Sequence, residues 1–204
     1  MTSKILRALV YVGAILTALV LAGIVGYILI NGIPHLKPSL FEWTYTSENV
    51  SLMPALIDTI LMALLALALS VPTGVGAAIY LVEYARSSSR FVRAVRMTAE
   101  TLQGIPSIIY GLFGLLFFTT MLGWGLSLIS GACTLAIMVL PVVMRTTEEA
   151  LLAVPESYKQ GGFALGAGHV RTIFRCVLPS ALPGIVGGVL LALGRCVGEV
   201  AALL

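Results

Sequence analysis

Two charged residues stand four positions apart, Arg195 and Glu199, inside an apolar run that begins near Ala181. On a helix this spacing puts both on one face, about one turn apart. Each charge near the centre of a membrane-spanning helix costs roughly 2.5–3.5 kcal/mol, against about −0.3 to −0.6 for each Leu, Ile or Val. Charges that costly face a cavity or a partner helix. A guanidinium is permanently charged and can pair in two-pronged fashion with a tetrahedral oxyanion. Glu199 can neutralise the empty site and weaken retention of the anion, and conduction needs both attraction and release. The residues alone leave two readings open, an anion pathway and an ion pair that locks helix packing. The pairs Gly184 with Gly188 and Gly194 with Gly198 form small-xxx-small surfaces that suit packing.

No other constellation suggests catalysis. The three cysteines, Cys133, Cys176 and Cys196, are far apart and lack any Cys-x-x-Cys or clustered His spacing, so they read as small buried or reduced residues and no metal site is expected. His35 and His169 lie in different polar segments with no partner at ligand spacing. No Gly-rich loop ending in Gly-Lys-Ser or Gly-Lys-Thr is present, which excludes ATP hydrolysis by that route. Glu148 and Glu149 resemble a carboxylate pair, but at the first turn of a loop helix they would serve the helix dipole rather than catalysis. No cofactor is expected.

The elements that must position Arg195 follow from composition. The chain is 59% hydrophobic and 10% charged, with mean hydropathy +1.04, whereas a soluble domain carries about 25% charged residues. It is read as an all-α integral membrane protein, a single transmembrane domain over residues 1–204. Five apolar runs, at about 8–30, 55–81, 101–122, 126–144 and 181–204, are each near the ~20 residues that cross the hydrocarbon core. The first follows Lys4 and Arg7 and is too long for a signal peptide, so a retained helix with a cytoplasmic N-terminus is expected. The second carries Asp58 near one end and Pro72 near the other, where a kink is expected. Arg86, Arg90, Arg93 and Arg96 follow at helical spacing, and they report on topology rather than nucleic acid. The third run opens on Gly104-Ile105-Pro106-Ser107, which permits local bending. The fifth runs to Leu204 without a polar or aromatic stop, and a sixth span is expected beyond it.

Residues 145–179 form the longest hydrophilic interruption, about 35 residues with helical spacing inside it, too long and too ordered for a passive connector. Pro155 opens a helical segment, and Gly161-Gly162 and Gly166-Ala167-Gly168 mark a turn, so two short helices are expected. A short helix presented beside the bilayer suits a groove on a soluble partner.

These residues resemble the type I ABC-importer permeases. The cytoplasmic signature of that family, Glu-Ala-Ala-x3-Gly-x9-Ile-x-Leu-Pro, finds Gly166, Leu178 and Pro179 in register. Gly104-Ile105-Pro106-Ser107-Ile108-Ile109-Tyr110-Gly111, the stretch from Leu140-Pro141 through Arg145-Thr146-Thr147-Glu148-Glu149, and Ala192-Leu193-Gly194-Arg195 leading to Gly198-Glu199 resemble permease subunits of phosphate importers. The resemblance implies a bacterial cytoplasmic (inner) membrane permease of six spans, five of them here, importing inorganic phosphate by alternating access. It implies a sister permease, a separate ATPase dimer and an extracytoplasmic phosphate-binding protein as partners. Arg195 and Glu199 become the substrate-path residues. Glu149, Pro155, Gln160, Gly161, Gly162, Gly166, Leu178 and Pro179 become the ATPase-coupling loop, with its helix at about 155–168. The alternatives are a permease for another oxyanion, phosphonate, sulfate or molybdate, or a structural or regulatory membrane subunit. Two departures stand out: Gln160-Gly161-Gly162 replaces Glu-Ala-Ala, and Cys176 replaces Ile. Loss of the Glu implies looser coupling or a compensating contact, and changing both glycines to alanine is expected to leave the membrane fold and ATPase association intact.

Overall fold

A computed structural model describes residues 2–43, 51–85, 89–199 and 202–203, and the described residues are helices and turns without a strand. Tyr45, Arg86, Val200, Ala201 and Leu204 lie outside them. The chain forms two compact units, Met1–Leu56 and Ile57–Leu204. The first holds α1 (Thr2–Gly32), a helix apolar around its circumference with no buried side chain, as a lipid-facing span requires. Two short 3₁₀ turns follow, Ile33–His35 and Pro38–Phe41, and the Leu52 N–H folds back to the Leu40 carbonyl at 2.8 Å.

Helix α2 (Met53–Ile79) leads into the second unit, which is built on α5 (Leu128–Leu152). The apolar window of α5 is 61% buried, against 22% and 28% for the flanking spans Met53–Tyr84 and His169–Gly198. Small residues set these close distances. A methyl group at Gly184 or Gly188 of α8 (Leu178–Gly198) would come to 2.7 Å of the Cβ of Ala150 or Thr146 on α5. At Gly74 of α2 it would come to 3.0 Å of Val143. Of the two small-xxx-small surfaces, Gly184/Gly188 therefore makes the α5–α8 crossing, while a methyl group at Gly194 or Gly198 would meet nothing within 4 Å among the described residues. The core has two lobes along α5, one around Leu135, Met138 and Val139 and the other around Met144 and Leu151.

The third apolar run is not one straight span. Helix α3 (Arg90–Gln103) and the stretch Ser107–Met121, which begins with α4 (Ser107–Gly114), are bent by 100° at Gly104–Pro106. Pro106 has no N–H to continue the helix, and its extended ψ of 137° starts a new one. The Tyr110 hydroxyl donates to the Leu102 carbonyl at 2.8 Å and braces the bend, and Gln103 donates to the Pro141 carbonyl on α5 at 2.9 Å.

Residues 145–179 are not a single loop. Helix α5 runs on through Arg145, Glu148 and Glu149 to Leu152, and helix resumes at His169 as α7 (His169–Thr172), a π-helical turn Ile173–Val177, and α8. Only residues 153–168 lie between the spans, holding α6 (Glu156–Ala164). Polar composition did not end α5 because ion pairs neutralise its charges. Pro179 falls directly after the π-helical turn, where the widened ladder accommodates a residue that cannot donate.

Candidate functional site

The pathway candidates lie at the C-terminal end of α8. Gly198 is the last helical residue, and Glu199 follows in extended conformation, φ −83° and ψ 121°. The expectation that Arg195 and Glu199 share a helical face is therefore corrected. Gly194 and Gly198 contribute little helical stability there, and the ladder stops before the glutamate. Among the described residues no ion pair joins Arg195 to Glu199 or to any other carboxylate. Arg195 is half-buried, in electrostatic range of Tyr110 on α4, and both Arg195 and Glu199 are in range of Cys196. A cation in the last turn also complements the helix dipole.

A cavity of about 550 Å³ opens between the beginning of α2, α4, the beginning of α5 and Ala202–Leu203, a few positions beyond Glu199. Its lining carries Asp58 and the hydroxyls of Thr119, Ser127, Ser130 and Thr134 but no cation, so it does not suit an oxyanion.

The carboxylate pair is placed differently from its sequence-based reading. Glu148 and Glu149 sit near the C-terminal end of α5, where negative charge opposes the dipole. Ion pairs offset this. Glu148, with its side chain 2% exposed, meets the Arg96 Nε of α3 at 2.7 Å and Arg145 at 3.7 Å. Glu149 is exposed and accepts from the Arg145 Nε at 2.9 Å. Arg145 also lies 3.8 Å from Glu100 of α3. Glu149 is thus a partner of Arg145 on α5 rather than part of the segment between the spans.

In that segment, Pro155 is the N-cap of α6 and Gln160 projects outward. The helix closes in a Schellman motif. The Ala167 N–H donates to the Gly162 carbonyl at 3.1 Å and the Gly166 N–H to the Phe163 carbonyl at 2.9 Å, with Gly166 at φ +78°. That left-handed position gives the signature glycine its physical reason. The glycines that replace Ala-Ala are not equivalent. Gly161 is exposed with open space around it, whereas a methyl at Gly162 would come to 2.8 Å of the buried Thr172 side chain of α7. The expectation that both tolerate alanine is therefore revised. Gly161→Ala is expected to stabilise α6 by up to about 1 kcal/mol. Gly162→Ala should cost about 1–3 kcal/mol by forcing α6 off a stiff β-branched neighbour, and thermal unfolding of the two single variants separates them. Leu178 and Pro179 open α8; Leu178 packs where the segment returns to the bundle, while Pro179 is exposed.

Spacing did not reveal one further contact. Lys159 of α6, its side chain 17% exposed, meets Glu83, 4% exposed, at 2.7 Å. Glu83 lies in the π-helical turn Tyr80–Tyr84 that ends α2. The two are 76 positions apart in the chain, so no local periodicity links them.

The profile of the family described as "Binding-protein-dependent transport system inner membrane component" matches residues 70–204. The probable ABC transporter permease protein YqgI of Bacillus subtilis (strain 168) is 34% identical over 208 residues, covering 100% of this chain and 69% of that protein. The phosphate transport system permease protein PstA 1 of Mycobacterium tuberculosis (strain CDC 1551 / Oshkosh) is 38% identical over 169 residues, covering 79% of this chain and 55% of that protein. The chain thus spans between about half and two thirds of the length of these relatives. Among solved structures, an inward-facing conformation of the MetNI methionine ABC transporter matches with TM-score 0.58 and 24% identity, over 72% of this chain and 68% of that one. It is a match of fold.

Proposed function

The chain belongs to the binding-protein-dependent transport system inner membrane components, the type I ABC-importer permeases, and from that premise we propose that it imports inorganic phosphate by alternating access. In this proposal the permease makes no covalent bond, and ATP is hydrolysed on a separate pair of subunits. A sister permease completes the pathway and an extracytoplasmic phosphate-binding protein delivers the anion. Lys4 and Arg7 in the first turns of α1, and Arg90, Arg93 and Arg96 after α2, support a cytoplasmic N-terminus by the positive-inside rule. That orientation puts α6 on the cytoplasmic side, where Pro155, Gln160, Gly161 and the exposed Pro179 face the ATPase and Gly162, Gly166 and Leu178 hold the helix in place.

The observation that carries the reading is the state of Arg195. It is a half-buried guanidinium at the end of a spanning helix with no carboxylate within 4.0 Å among the described residues. A guanidinium that only locked helices would be expected to hold its acid, whereas one that receives an oxyanion keeps its donor fork free. In this proposal Glu199, beyond the helix end, weakens retention of a bound anion without closing the site.

The test is uptake of radiolabelled phosphate by the assembled transporter in proteoliposomes, challenged with sulfate, molybdate and a phosphonate at tenfold excess. Unlabelled phosphate is expected to suppress the signal and the other oxyanions to leave it largely intact. Stronger suppression by one of them would reassign the substrate to that oxyanion. No accumulation of any of the four would point to a structural subunit.

A further inference from the structure

The segment between α5 and α7 is tied to α2 by contacts that close on one point. Lys159 and Glu83 are 2.7 Å apart with both side chains largely withdrawn from solvent. Adjacent to Glu83, Tyr84 meets the His169 ring edge-on at 5.1 Å, and His169 in turn stacks on Phe163 of α6 at 6.1 Å. One charged contact and one aromatic relay thus join α6, the start of α7 and the last turn of α2. That last turn is π-helical, with the Ala85 N–H donating to the Tyr80 carbonyl at 2.9 Å, and single π-helical turns recur where helices carry function.

Removing either charge would leave the other in a poorly solvated place, which is the situation in which a buried pair resists separation most strongly. Among the described residues the other ion pair of Lys159, to Glu156 at 3.8 Å, lies within α6 and ties nothing together. The close approach of Gly162 to Thr172 fixes α6 to α7 but not to α2. An exposed helix that must push on a bundle needs a contact that does not slide, and a buried ion pair offers one. An apolar contact of the same area would let α6 translate along α2.

We propose that Glu83 and Lys159 are positioning residues for transport: their ion pair makes the C-terminal end of α2 move with α6, so that displacement of α6 is passed to a spanning helix. The inference rests on the coupling role proposed above for α6. It also assigns a compensating internal contact to a segment that has Gln160 where the family signature has glutamate.

The test uses the assembled transporter carrying the full chain, in proteoliposomes, and reads substrate accumulated per ATP hydrolysed. Glu83→Gln and Lys159→Met are expected to leave ATP hydrolysis running while the transport ratio falls on the order of tenfold, the scale of typical coupling energies. The exchanged pair Glu83→Lys with Lys159→Glu should recover much of the ratio. A structural role alone would lower assembly without moving the ratio. An unchanged ratio in both single variants overturns the inference, as does an exchanged pair no better than the single variants. A second readout needs no substrate. On addition of ATP, hydrogen exchange should change together in α6 and in residues 76–85 of the wild-type chain, and in α6 alone in Glu83→Gln. A response at residues 76–85 that persists in Glu83→Gln overturns the inference, even if phosphate proves not to be the substrate. Absence of wild-type phosphate uptake with the exchange pattern intact would count against the phosphate assignment only.

Discussion

Arg96→Ala is expected to lower the stability of the assembled permease by about 3 kcal/mol, the lower end of the range for stranding a buried charge. The carboxylate left behind is Glu148, whose side chain is 2% exposed and whose nearest cation is the Arg96 Nε at 2.7 Å. Arg145 stands 3.7 Å from Glu148, but its Nε is already engaged by Glu149 at 2.9 Å. It can compensate in part, which is why the lower end applies. The loss should move the unfolding midpoint by on the order of 10 °C. Replacing both partners, Arg96→Leu with Glu148→Leu, should recover most of it, because a well-packed apolar pair removes the desolvation cost of both charges. A single variant that unfolds with the wild type would mean that the 2.7 Å contact holds nothing. The contact matters because α3 leaves α4 at 100° and is held by what it makes with α5; Gln103 on the Pro141 carbonyl, the Glu100–Arg145 pair and the packing of Val92 and Ala99 are others.

The class of protein was legible from composition and run length because spanning a bilayer imposes a length and a polarity that little else satisfies. Local chemistry was also legible where it is short-ranged. Pro155 starts α6, Gly166 adopts the left-handed conformation after it, and the Gly104–Pro106 stretch bends the third run. Boundaries set by tertiary contacts were not legible. Charge density read 145–152 as loop, yet α5 continues through it because Arg96 and Arg145 neutralise its acids. Gly161 and Gly162 look alike in a sequence, and only the proximity of Thr172 separates them. The i,i+4 relation of Arg195 and Glu199 assumed a helix that ends at Gly198. The Glu83–Lys159 pair joins distant segments and leaves no periodic trace.

The corrected geometry at Arg195 strengthens the pathway proposal. An Arg195–Glu199 pair would have competed with any incoming anion for the guanidinium, and without that pair the donors are available. Lysine keeps the charge but presents a point cation on a flexible stem, without the planar fork that grips two oxygens. A hydrogen bond to a charged group contributes about 1.5–3 kcal/mol, so losing one prong should reduce phosphate transport roughly 10- to 100-fold while leaving helix packing undisturbed. Glu199→Gln should act in the opposite sense on release, holding the anion longer.

The most direct measurement is therefore phosphate uptake by the assembled transporter bearing Arg195→Lys, with assembly and ATPase binding checked in the same preparation. An oxyanion path through Arg195 predicts an intact complex whose uptake is nearly abolished. Uptake at the wild-type rate from an intact Arg195→Lys complex would contradict it and remove Arg195 from the pathway.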